Sequence, residues 1–109
     1  MGSAEISLVR WKTQKVFVGR EAGHACREFF RLDELDKVGT EIRVTIPEEV
    51  YSVNASFFLG MFGDSIRSLG KDRFRSRYHF VGKGISRTLN SGIRHALDRT
   101  ARPRLSESL

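Results

Sequence analysis

The segment YSVNASFFLGMFGDSIRSL, residues 51–69, carries the pattern that decides the fold. Its large apolar residues recur at steps of three and four, the spacing of one face of an α-helix; they are Phe58, Met61, Phe62, Ile66 and Leu69. A second row with almost no side chain consists of Ser56, Gly60 and Gly63. Because glycine inside a helix costs about 1 kcal/mol relative to alanine, this row predicts that another segment approaches the helix closely. That segment could belong to the protein's own core or to a partner.

A β-strand is predicted just before this helix. Residues 41–46, EIRVTI, alternate apolar and polar side chains, and Pro47 then prevents continuation as a central strand. Either Ser52 or Asn54 can cap the helix, because both side chains can accept hydrogen bonds from its first free N–H groups. Gly70 is placed to end it.

The rest of the chain also alternates between segments with the pattern of a strand and segments with the spacing of a helix. Short β-branched and aromatic runs predict strands at 5–11 and 15–20, as a hairpin or as neighbours, and at 78–81. Apolar residues at helical spacing predict helices over 20–36 and from residue 85 onward. The resulting order, β-β-α-β-α-β-α, predicts an α/β fold with a single small mixed sheet of about four strands and three helices packed on it. No internal repeat is visible in the sequence.

The length and the ends of the chain predict a single domain. At 109 residues the chain can bury one core, and we assign this domain to residues 1–101. Pro103 and the polar residues after it predict a frayed tail over 102–109. The sequence contains no apolar run of membrane-spanning length and no signal-peptide core, so we expect a cytoplasmic protein without a membrane segment. Its oligomeric state is left open.

The residues that usually carry catalysis do not form a recognisable group. The three histidines lie on separate predicted elements, and no zinc-protease motif or serine nucleophile elbow occurs. Cys26 is the single cysteine and falls among apolar residues at helical spacing, which predicts a buried thiol. We therefore expect no catalytic residues, no metal site, no cofactor and no enzymatic activity.

Positive charge is concentrated in the second half of the chain. Residues 1–50 hold eight Lys/Arg and nine Asp/Glu, whereas residues 51–109 hold eleven and four. The basic residues of 71–77 are interleaved with Phe74 and Tyr78, so this loop could bind nucleic acid or another anion by combining phosphate contacts with base stacking. The candidate contacts are Lys71, Arg73, Arg75 and Arg77, with Arg87 and Arg94 in the following helix. The alternative is an edge strand whose arginines simply face water.

Several short motifs resemble one family when they are taken in order. They are Arg20 and Gly23 in the first long helix, the strand at 42–46, then Ser56-Phe57 and Phe62-Gly63. In this order the segment is similar to the STAS-like domain family of unknown function, which is related to the STAS domains of anti-anti-sigma factors in bacterial signalling. The resemblance covers about residues 15–99.

The resemblance implies a regulatory domain that binds a partner protein, with a GHKL-type kinase or ATPase as the candidate partner. Related regulators are switched by phosphorylation of a serine at the start of the corresponding helix. Here Ala55 occupies that serine's position, between Asn54 and Ser56. Alanine has no hydroxyl, so Ser56 becomes the candidate phosphorylation site, where a phosphate would lie at a helix N-terminus. The expected partner-binding residues are Ser52, Asn54, Ser56, Gly60, Gly63 and Arg67.

Overall fold

The protein has an α/β fold with five strands and six helices in the part of the chain that is described. The structure is a computed structural model that describes residues 3–82 and 84–98, so the predicted tail at 102–109 lies outside it. The strands are β1 (Ser3–Ser7), β2 (Val16–Phe17), β3 (Glu41–Thr45), β4 (Ser52–Val53) and β5 (Tyr78–Val81). The helices are α1 (Leu8–Trp11), α2 (Arg20–Phe30), α3 (Leu32–Val38), α4 (Ala55–Leu69), α5 (Lys71–Arg77) and α6 (Ile85–Leu97).

The described strands form two parallel sheets instead of the single mixed sheet that was expected. Three strands lie in the order β1-β3-β5, and β2 pairs with β4 in a second sheet. All these pairs are parallel because a helical connection separates each strand from the strand with which it pairs. The expected hairpin is therefore wrong: β1 pairs with β3, and β2 pairs with β4. The segment after β1 turns into α1, which buries Leu8.

The order of elements repeats once along the chain. Apart from the four-residue helix α1, which has no counterpart in the second half, a strand, a two-residue strand, a long helix and a short helix run from β1 to α3, and the same series runs from β3 to α5. Equivalent members also lie side by side: β1 pairs with β3 and β2 with β4, while α2 packs on α4. This repeat is in the architecture, and the amino-acid sequence does not display it.

Besides the strand expected over 5–11, which ends at Ser7 and is followed by α1, two of the expected elements differ in the structure. The helix expected over 20–36 is broken at Arg31, whose φ of 57° is left-handed, and α3 starts at the next residue so that Leu32 points into the core. Residues 71–77, expected as a basic loop or an edge strand, form α5, and Phe74 on its inner side is fully buried. Gly70, with φ of 84°, separates α4 from α5.

Helix α4 lies at the centre of the molecule, between α2 and α6. Its predicted apolar face is in the core, where Phe58, Met61, Phe62 and Ile66 are buried and Leu69 packs against the cluster. The close approach predicted from the glycine row is made by α2. A Cβ atom on Gly60 would overlap the carbonyl oxygen of Arg20, and one on Gly23 would overlap that of Phe57.

The three-stranded sheet has one covered face and one face toward solvent. Ile6, Val44 and Phe80 are neighbours in register on the face covered by the helices. The opposite face carries exposed polar side chains, and Arg43 lies 3.9 Å from Glu5. The alternation predicted for residues 41–46 is thus confirmed, since it separates the core from water.

Candidate partner-binding surface

The beginnings of α2 and α4 lie together beside the two-stranded sheet. Each of these helices directly follows a strand of that sheet, α2 after β2 and α4 after β4. The side-chain oxygen of Asn54 accepts hydrogen bonds from the N–H of Phe57 (2.9 Å) and from the N–H of Gly19 (3.4 Å). Asn54, and not Ser52, therefore caps α4, and the same oxygen also joins the two helix entrances.

The outward face of the two-stranded sheet exposes apolar side chains. Phe17 points into the core and is fully buried, so its neighbours Val16 and Val18 point outward and are 45% and 51% exposed. Val16 is paired in register with Ser52 on β4, and Asn54 follows on the same side as Ser52. Two exposed valines thus lie beside two of the predicted partner-binding residues.

We call the group Val16, Val18, Ser52, Asn54 and Ser56 the β2–β4 surface. Ser56 belongs to it because it is exposed in the first turn of α4, next to the cap. The two valines were not predicted as site residues. The sequence VFV did contain a signal, because a strand with a fully buried central residue and apolar residues on both sides must expose apolar groups on its outer face.

The other predicted partner-binding residues lie elsewhere on α4. Gly60 is buried under the backbone of Arg20, so an external partner cannot contact it while α2 is in place. Gly63 is also buried, and a Cβ atom there would lie 3.3 Å from the guanidinium of Arg67. Arg67 donates a 2.7 Å hydrogen bond to Asp64, which lowers the pKa of that carboxyl group. The expectation that Gly60 lies on an interface is thus corrected: its close neighbour is α2.

A small cavity of about 160 Å³ adjoins the β2–β4 surface. It lies between the loop that follows β3 and the start of α6, and it is lined by Ile46, Val50, Tyr51, Ser52, Val53, Gly84, Ile85 and Thr88. Pockets for drug-sized ligands usually measure about 300–1,000 Å³. This cavity is smaller, so the region resembles a site for a protruding side chain more than a cofactor pocket.

The basic residues of 71–77 are divided among different environments. Arg75 donates a 2.5 Å hydrogen bond to the side-chain oxygen of Asn90, while Arg77 donates to the backbone oxygen of Asp36. Phe74 and Tyr78 stack on each other at 4.6 Å in the core. They cannot stack on nucleic-acid bases there, so the aromatic part of the predicted nucleic-acid contact is not supported.

A wider groove lies between α5 and α6, with a volume of about 530 Å³. It brings together three of the candidate anion contacts, Lys71, Arg75 and Arg94. The remaining lining residues are Asn90, Ile93, Leu97 and Asp98. Arg73, Arg77 and Arg87 do not line it.

Sequence reasoning missed a buried polar network around Arg27. Arg27 is only 5% exposed and faces α4. One guanidinium nitrogen, Nη1, donates to the backbone oxygen of Met61 (2.8 Å) and to the hydroxyl of Ser65 (2.9 Å). A signal existed in the spacing, since Arg27 follows Gly23 by four residues and so shares the helix face that meets α4.

Asp36 completes this network from α3. One of its carboxylate oxygens accepts a 2.6 Å hydrogen bond from the hydroxyl of Tyr78, and the other accepts from the hydroxyl of Ser65. Burial, together with the hydrogen bond to Asp36, raises the pKa of Tyr78. The network joins α2, α3, α4 and β5, and every charged group in it has a partner, so its evident effect is to fix these elements relative to one another.

Within residues 3–82 and 84–98, no group of three or more histidine, cysteine, aspartate and glutamate side chains is arranged to hold a metal ion. Cys26 is buried, as predicted, and burial raises the pKa of its thiol to about 12. No helix in the described part of the chain is both long and apolar enough to cross a membrane. Comparison with protein-family models, with curated proteins and with solved structures gives no match to this chain.

Proposed function

We propose that this chain is a non-enzymatic regulatory domain that binds a partner protein through the β2–β4 surface. The observation that carries this proposal is the pair of exposed valines, Val16 and Val18, beside Ser52 and Asn54. An apolar centre with polar groups at its edge is the usual anatomy of a protein interface. The two glycines of α4 are left out of the surface because they are buried.

The partner class comes from the resemblance to STAS-like domains. Regulators of that type bind a GHKL-type kinase or ATPase, and we propose a protein of this class as the partner. The start of α4, where such regulators carry the phosphorylated serine, is exposed here and adjoins the two valines. The geometry and the resemblance therefore favour the same region of the molecule.

Ser56 is the proposed site of regulation on this surface. A phosphate on its hydroxyl would add negative charge at the N-terminus of α4, where the helix dipole favours it. It would also place a dianion beside the apolar valines, which would disfavour an apolar partner. Incubation with the partner kinase and ATP, followed by mass spectrometry, tests this: phosphate on Ser56 supports the assignment, and no phosphate on any residue from Ser52 to Ser56 rejects it.

The partner proposal is tested by affinity capture from the native cell. The double variant Val16→Glu/Val18→Glu should capture at least about tenfold less of the GHKL-type protein than the wild type, because binding would bury two charges in the interface. Val81→Glu is a matched control, since Val81 is also 45% exposed but lies on the solvent face of the three-stranded sheet. Circular dichroism should show both variants folded. Equal capture by the wild type and the folded double variant would reject the proposed surface.

Nucleic-acid binding is the second candidate function. It is favoured by one observation, that Lys71, Arg75 and Arg94 line the same groove. A salt-dependent gel shift of labelled DNA or RNA that is lost on neutralising Lys71, Arg75 and Arg94 would support it. No binding at low salt would eliminate it.

A further inference from the structure

We infer that the groove between α5 and α6 is a binding site for a phosphate group. This inference does not depend on the proposed partner surface, because none of the five residues of the β2–β4 surface lines the groove. The groove measures about 530 Å³, which is within the range of about 300–1,000 Å³ common for small-molecule sites.

The charges of the groove are arranged for an anion. Lys71 and Arg75 are one helical turn apart on α5, and Arg94 reaches the groove from α6. Among the described residues none of these three cations forms an ion pair within 4.0 Å, whereas Arg27, Arg31, Arg43 and Arg67 each do. The described lining residues of the groove include these three cations and a single carboxylate, that of Asp98. The excess of positive charge suits a dianion.

One of the cations is already oriented. The Nη2 atom of Arg75 donates a 2.5 Å hydrogen bond to Asn90, which is itself a lining residue of the groove. This bond uses one donor of a guanidinium that has five, so the group is held at the groove wall with donors left over. A fixed guanidinium group can donate to two oxygens of one phosphate, and this favours binding of a phosphate at a defined position over nonspecific association of anions.

The groove also has an apolar part. Ile93 is buried at its base, and Leu97 is 39% exposed. A ligand that carries its phosphate on a partly apolar body could place the phosphate among the three cations and the body against Leu97. The phosphate could come from a free organic phosphate or from a nucleic-acid backbone, and the experiment separates these two sources.

The test is a titration of the ¹⁵N-labelled full chain, followed by heteronuclear NMR at constant ionic strength. One arm uses inorganic pyrophosphate and the other uses a thymidine oligonucleotide. Saturable shifts centred on Lys71, Arg75, Asn90 and Arg94 are expected. Arg94→Gln should weaken binding about tenfold or more, since a hydrogen bond to a charged group contributes about 1.5–3 kcal/mol. Lys71→Gln provides a second variant with the same expected direction.

Arg87→Gln is the matched control, because it removes one exposed positive charge from the same helix outside the groove. It should change the affinity less than about twofold. Saturable binding of pyrophosphate alone identifies a free phosphate as the ligand, while tighter binding of the oligonucleotide, equally sensitive to Arg94→Gln, identifies a nucleic-acid backbone. Shifts that grow linearly without saturation, or equal losses in Arg87→Gln and Arg94→Gln, would overturn the site.

Discussion

Gly60 and Gly63 lie one helical turn apart on α4 but have different neighbours, and this difference predicts opposite effects of alanine. A methyl group on Gly60 would overlap the backbone of Arg20, so Gly60→Ala should lower the free energy of unfolding by about 3 kcal/mol, as overpacking does. A methyl group on Gly63 meets only the flexible end of Arg67. Gly63→Ala should therefore raise the free energy of unfolding by up to about 1 kcal/mol, through higher helix propensity.

Urea denaturation of both variants checks this pair. Because the two substitutions add the same atoms to the same helix, each serves as the control for the other. Equal effects of the two substitutions would show that α2 does not approach α4 as described.

Tyr78 predicts how stability depends on alkaline pH. Its pKa is raised in the native protein, first by burial and then by the hydrogen bond to Asp36, so the folded protein keeps the phenolic proton. The stability linked to this group is complete below the unfolded pKa of about 10 and should fall as the pH rises above it. In Tyr51→Phe, which leaves Tyr78 as the last of the two tyrosines, tyrosinate absorbance should appear together with the loss of the helical circular dichroism signal. Ionisation near pH 10 with an unchanged helical signal would contradict the buried network.

The apolar residues of α4 could be predicted from the sequence, whereas the hydrogen-bond partners of Arg27 on α4 could not. Spacing by three and four fixes which side of a helix is apolar, and this identified Phe58, Met61, Phe62 and Ile66 correctly. Arg27 is buried because Asp33, Ser65 and the Met61 carbonyl satisfy its donors. Met61 and Ser65 are 34 and 38 residues away in the sequence, so no local pattern indicates that they are partners of this charge.

At the level of elements, Arg31 forms the junction between α2 and α3. Among the described residues other than glycine, it is the one with a positive φ. A left-handed conformation costs a residue with a side chain about 1–2 kcal/mol, while glycine adopts it freely. Arg31→Gly removes this cost but increases the conformational entropy of the unfolded chain, which opposes the gain. We expect a net rise in the free energy of unfolding of about 0.5–1 kcal/mol. The exposed ion pair with Glu34, at 3.7 Å, contributes little.

Chemical denaturation measures this effect, and Arg31→Val is the informative comparison. Valine is β-branched and poorly suited to positive φ, so it should be less stable than the wild type by about 1 kcal/mol or more. A stability order other than glycine, arginine, valine would mean that the two helices are continuous.

For the strands, the sequence predicts which segments are extended but not how these segments pair. β3 was predicted correctly because its alternation is local, and β5 because it is short and rich in aromatic and β-branched residues. The pairing of the strands could not be predicted, since parallel partners are decided by the packing of the helices between them. α5 was missed for a related reason: its seven residues include four cations, and its one inward side chain, Phe74, gives too little periodicity to identify a helix.

At the scale of the whole molecule, Cys26 can report on cooperative unfolding. The thiol is buried and its pKa is raised to about 12, so a thiol reagent at pH 8 should react only when the packing between α2 and α4 opens. Labelling should therefore become about tenfold faster for each 1.4 kcal/mol of destabilisation. Pairing the labelling rates of wild type and Gly60→Ala with their unfolding free energies checks this. Equal labelling rates in the two proteins would show that Cys26 is reached by a local fluctuation instead.

The central position of β3 also constrains the order in which the chain can fold during synthesis. A ribosome releases β1, α2 and β3 before α4, so the first two strands of the sheet emerge without the helix whose phenylalanines cover them. A fragment of residues 3–50 should accordingly show little helical circular dichroism and no cooperative transition. We expect stable structure to form only when α4 has emerged and its buried Gly60 can pack against α2. The synthesis of α4 is therefore the step that permits cotranslational folding.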